Sequence, residues 1–79
     1  IAADVEKIHK NDLEAEYEAQ KAYNETIKLA AELGDNGTKV LLEEILKDEE
    51  DHIDWLEAQL DQIKQMGLAN YLTEQTEKG

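Results

Sequence analysis

Glu44-Ile45-Leu46-Lys47-Asp48-Glu49-Glu50-Asp51-His52-Ile53-Asp54-Trp55-Leu56-Glu57 is the stretch on which the reading of the fold turns. It holds no Gly or Pro and is rich in residues that favour helix. The apolar positions in and around it follow a helical period: Leu41 or Leu42, then Ile45, then Leu56, Leu60 and Ile63, with Ile53 beside them. Between Ile45 and Leu56 the stripe is interrupted, and Glu49 and His52 fill the gap. A carboxylate and an imidazole therefore stand where the rest of the helix places apolar side chains.

Upstream, Gly34-Asp35-Asn36-Gly37 is a turn signal. Gly34 suits the residue just past a helix end, and Asp35, Asn36 or Thr38 can cap the helix that follows. Downstream, Gly67 after Lys64-Gln65-Met66 reads as a second stop. This predicts a helix over about 3–33, a second over about 37–65 and a short third over about 68–76. The first two would each be roughly 40 Å long at about 1.5 Å per residue, and a short turn between such rods makes an antiparallel hairpin. The fold class expected is all-α. On the first helix Val5, Ile8, Ala15, Ala19, Tyr23, Ile27 and Ala30 form the apolar stripe, and Glu16 sits within it.

Composition narrows the classes of function. The 79 residues carry 20 Asp and Glu against 8 Lys and no Arg, a formal net charge of −12. Nucleic acid and anionic membrane surfaces would be repelled and cations attracted, although acidic helices also simply stay soluble. No apolar run approaches the roughly 20 residues that cross a bilayer. There is no Cys, hence no disulfide or thiolate site, which fits a reducing cytoplasm. The chain opens on Ile1 rather than Met, and at this length a self-sufficient core is marginal. The expectation is a piece of a longer gene product or a cleaved chain.

Glu16, Glu49 and His52 carry the chemistry. A Glu on each of two core-facing stripes, with His52 one turn from Glu49, would bury charge, and something positive must compensate. A metal cation is the simplest candidate, because carboxylate oxygen and imidazole nitrogen can both ligate it. Glu-x-x-His alone is a weak signal: in so Glu-rich a chain about one His in six has it by chance. The alternatives are a His52 satisfied by a carboxylate in a core or interface, a solvated Glu49 within the acidic run 48–51, and a Glu16 that leaves the stripe edge for water. His9, beside Lys10 and Asn11, reads as a surface histidine, Met66 as a gap-filling apolar contact, and Trp55, Tyr17, Tyr23 and Tyr71 as helix-packing residues.

The stretch from Glu44 to Glu57, followed by Gln65-Met66-Gly67-Leu68-Ala69-Asn70-Tyr71-Leu72, resembles the fourth and short fifth helices of bacterioferritins. Asp12-Leu13-Glu14-Ala15-Glu16 is similar to the family's third helix around its metal-ligand glutamate, and residues 17–43 match more loosely. The resemblance implies that residues 1–79 are the C-terminal half of a ferritin-like di-iron domain, a hairpin forming half of a four-helix bundle plus a short C-terminal helix. It implies Glu16 as a terminal ligand of one iron, Glu49 as a bridge between two, and His52 as the ligand completing the iron that Glu16 binds. The remaining ligands would come from an N-terminal half carrying the first two helices.

The activity so implied is a ferroxidase, oxidising Fe(II) and depositing ferric mineral in a hollow shell of twenty-four subunits, for iron storage and detoxification. Haem b has a place in such an assembly, but the family's haem-ligating Met lies on the second helix, so no haem ligand falls in this chain. Asp54 resembles a position near an ion-entry pore, and Asn70 would lie near a symmetry axis. Two other readings stay open: an acidic hairpin serving as an oligomerisation module without redox activity, and a metal site, such as zinc, without a redox step. On any of them a two-helix hairpin leaves an apolar stripe of each rod uncovered. The isolated chain should therefore fold poorly, and its thermal unfolding, followed by circular dichroism, should be broad and dependent on concentration; a cooperative, concentration-independent melt would contradict this.

Overall fold

A computed structural model describes the backbone of residues 2–78 and the side chains of residues 4–74. It contains α1 (Ala2–Glu32), α2 (Asn36–Met66) and α3 (Leu68–Lys78). The two 31-residue rods lie side by side and antiparallel, giving an elongated body of 51 × 21 × 18 Å. Among the described residues there is no strand, and no helix is long and apolar enough to cross a membrane.

The turn is tighter than the sequence suggests, because both helix ends are capped within three residues. Asp35 N–H donates to Ala30 O at 2.8 Å and Gly34 N–H to Ala31 O at 3.2 Å. This paired closure requires a left-handed residue, which Gly34 supplies at φ 73° without the backbone strain an L side chain would carry there. Asp35 then caps α2: its carboxylate accepts from Thr38 N–H at 3.1 Å and from the Thr38 hydroxyl at 2.6 Å. The Thr38 hydroxyl, with the Thr38 N–H after it, holds the Asp35 carboxyl below the usual carboxylate range. Its contribution to folding is thus present above that range and is lost as pH falls through the lowered value. Because the cap falls at Asp35, Asn36 and Gly37 belong to the first turn of α2 rather than to the connection.

At the other end only Gly67, at φ 81°, separates α2 from α3. Tyr71 anchors α3; it is buried, and its hydroxyl donates to the buried Gln59 Oε1. Two backbone contacts, Gly67 N–H to Ile63 O and Tyr71 N–H to Gly67 O, both at 3.0 Å, make the bend nearly continuous.

The seam between the rods is narrower than the stripes. Its buried apolar residues are Ala30, Leu46, Ile53, Leu56 and Ile63, with Leu56 wholly enclosed, and Tyr71 of α3 is buried beside them. On α1 the half-buried face runs through Val5, His9, Leu13, Glu16, Gln20, Tyr23 and Ile27. Ile8 and Ala15, expected on the α1 stripe, are instead exposed, and Ile53, expected beside the α2 stripe, lies in the centre. Two helices share one line of contact, so apolar residues off that line stay exposed, among them Ile8, Leu29, Leu33, Val40, Leu41 and Trp55. Polar bridges close one flank, Tyr17 to Glu57 at 2.7 Å and Gln20 to Glu50 at 3.2 Å. Donation to Glu57 keeps the Tyr17 phenol above its usual range. Leu56→Ala should destabilise the assembled protein by about 2–5 kcal/mol, measured by denaturant unfolding, since the cavity opens where nothing can collapse to fill it; a loss under about 1 kcal/mol would show that Leu56 is not the centre of the seam.

Candidate metal centre

Glu16 reaches the seam from the middle of α1, and His52 reaches it from the middle of α2. Neither is there by accident of a loop, since both lie well inside 31-residue helices whose register the capped turn fixes. Glu16 Oε1 stands 3.7 Å from His52 Nδ1, within ion-pair range but too long for a hydrogen bond. The Glu16 side chain is 21% exposed and that of His52 50%. The other carboxylate oxygen, Glu16 Oε2, is buried and has no hydrogen-bond partner among the described residues. Glu49 is half-buried on α2, one turn before His52.

Carboxylate oxygen and imidazole nitrogen together suit a first-row divalent ion such as iron or manganese. An orphaned, desolvated carboxylate oxygen is costly unless a cation or donor meets it, so the residues fit such an ion. The chain alone offers an incomplete set: among the described residues, no group of three or more His, Cys, Asp or Glu side chains is placed to hold one metal ion. What the hairpin does bring together is one ligand-type pair across the seam, Glu16 with His52.

The structure corrects one residue and adds another. His9, expected on the surface, is half-buried in the seam, and its Nδ1 is buried without a hydrogen-bond partner among the described residues. It lies two turns before Glu16 on the same face, a spacing that the neighbouring Lys10 and Asn11 obscured. Trp55, one turn after His52, stacks on that imidazole with ring centroids 6.2 Å apart and planes at 28°. The spacing of three from His52 was the available signal. Asp54 and Asn70 are exposed, and Asn70 spends its amide on Met66 O at 2.9 Å.

The partly buried charge of Glu16 makes a stability cost that a neutral isostere relieves. Glu16→Gln should raise the thermal midpoint of the metal-free assembled protein by about a few degrees, read by calorimetry, while weakening metal binding; a lowered midpoint would mean that the carboxylate is already compensated without metal.

Comparison with known proteins bears on the family of the chain. The ferritin-like domain family matches residues 1–66. A bacterioferritin of Brucella melitensis is 41% identical over 71 residues, 90% of this chain and 44% of that protein. A bacterial ferritin of Neisseria meningitidis serogroup B is 45% identical over 76 residues, 95% of this chain and 49% of that one. A bacterioferritin of Mycobacterium leprae is 45% identical over 60 residues, 76% of this chain and 38% of its own. The chain thus spans about half the length of the curated relatives it matches, and no solved structure gives a significant match. A family match over most of the chain and relatives above 40% identity, together with the all-helical hairpin and its short third helix, show that the chain belongs to the ferritin-like family.

Proposed function

We propose that this chain is the C-terminal half of a ferritin-like di-iron domain, residues 1–79, and that it works in iron storage and detoxification as one half of a ferroxidase. The observation that supports the reading best is the orphaned oxygen of Glu16, buried in the seam beside the His52 imidazole. The printed names of its relatives, bacterioferritin and bacterial ferritin, point the same way.

In this reading Fe(II) is the substrate. Glu16 and His52 hold one ion between them and Glu49 bridges to a second, the other ligands coming from an N-terminal hairpin with the family's first two helices. Bound there, iron is oxidised by oxygen or peroxide, and the ferric product passes to mineral in the interior of a shell, expected to have twenty-four subunits and to sit in the cytoplasm. Hard carboxylate oxygens favour the Fe(III) product, while the neutral imidazole limits the negative charge gathered at one point. Haem b, if the assembly binds it, would be held outside this chain.

The N-terminal hairpin also answers the exposed apolar residues of the rods. Ile8 and Trp55 are each about half exposed, and a second pair of helices packed on the first would cover such residues.

The test is the rate of Fe(II) oxidation, followed by absorbance, in the assembled protein that contains this chain. Glu49→Ala and His52→Ala should each slow it by about tenfold or more with the assembly intact. An unchanged rate would remove these residues from the chemistry and leave the hairpin a structural, oligomerising role.

A further inference from the structure

The two imidazoles of the chain and its single indole form one row across the seam. His9 stands in the α1 face that meets α2, and its ring lies perpendicular to that of Trp55, with centroids 5.6 Å apart and planes at 89°. Trp55 in turn stacks on His52. A perpendicular ring pair sets the electropositive edge of one ring on the electron-rich face of the other, which gives it a preferred geometry as well as buried area. This matters because His52 is half exposed and its contact with Glu16, at 3.7 Å, is too long to fix the ring by hydrogen bonding. Metal-ligating imidazoles ordinarily have their orientation fixed by an outer partner on the other ring nitrogen. Here the neighbour in place is an indole, and that indole, 51% exposed itself, is met on its seam side by His9.

We propose that His9 and Trp55 are positioning residues for the metal centre. His9, set in the seam, braces the Trp55 indole, and the indole keeps the His52 imidazole turned so that Nδ1 faces the position beside Glu16. The proposal rests on the reading of Glu16, Glu49 and His52 as metal ligands. It also gives the half-buried His9, whose Nδ1 is buried, a role that an aliphatic residue at the same seam position would not fill.

Cobalt(II) titration of the assembled, iron-free protein, read as visible absorption, tests it without turnover. His9→Ala should weaken Co(II) binding about tenfold and alter the absorption band at unchanged stoichiometry. His9→Phe, which keeps an aromatic edge against Trp55, should bring affinity back to within about threefold of the native protein and restore the band. Trp55→Leu should reproduce the loss seen with His9→Ala, and it serves as the test if His9→Ala does not assemble. Native affinity and band shape in His9→Ala, or in Trp55→Leu, would overturn the proposal, as would a His9→Phe protein as weak as His9→Ala. Glu49→Ala and His52→Ala separate the two levels. If they bind Co(II) as the native protein does, the metal-centre reading itself fails; if they lose it while His9→Ala does not, only the brace fails.

Discussion

The register of two rods about a three-residue turn governs what this chain can do. Leu33, Gly34 and Asp35 connect α1 to α2, and the centre of the turn is Gly34. Glu16 and His52 each lie 18 residues from it, and they meet across the seam. A helix rises about 1.5 Å and turns about 100° per residue, so a register slip of one residue would move one partner along its rod and turn it away from the other. The left-handed Gly34 and the Asp35 cap therefore do more than end one helix and start another. They set which carboxylate on α1 faces which imidazole on α2.

That register places polar side chains where packing alone would favour apolar ones. Leu46, Ile53, Leu56 and Ile63 fill the α2 side of the seam, yet α1 answers with His9 and Glu16 among its half-buried residues. Two of their polar atoms, His9 Nδ1 and Glu16 Oε2, are buried without hydrogen-bond partners among the described residues. Such groups cost stability, and chains that keep them generally do so for a function that needs them. The energy lost there is offset by the Leu56 cluster and by the anchoring of α3 through Tyr71 and Gln59.

The hairpin leaves part of its apolar surface uncovered. Each rod keeps apolar residues on its outer side, and the curated relatives are about twice as long as this chain. A four-helix bundle buries two seams per helix, a hairpin only one. On the proposed function, the exposed residues and the lone Glu16–His52 pair would share one explanation, a second hairpin laid against the first.

Much of this was legible in the residues themselves. Helix-favouring composition, the glycines at 34 and 67 and the apolar period determined three helices and an antiparallel hairpin, because local propensity and capping are properties of short stretches. The interruption of the stripes by Glu16, Glu49 and His52 marked the candidate site for the same reason. What only the tertiary structure decided was which part of each broad stripe enters the seam. Ile8 and Ala15 turn outward, Ile53 moves to the centre, and His9 comes in from its polar neighbourhood. Periodicity gives a face to within a residue or so, whereas the contact line of two packed rods is narrower than that. Its position follows from the register at Gly34 and Asp35 and from the side chains of the opposite helix. The row of His9, Trp55 and His52 has the same origin: its contact across the seam joins His9 and Trp55, 46 positions apart in the chain and brought together only when the rods close.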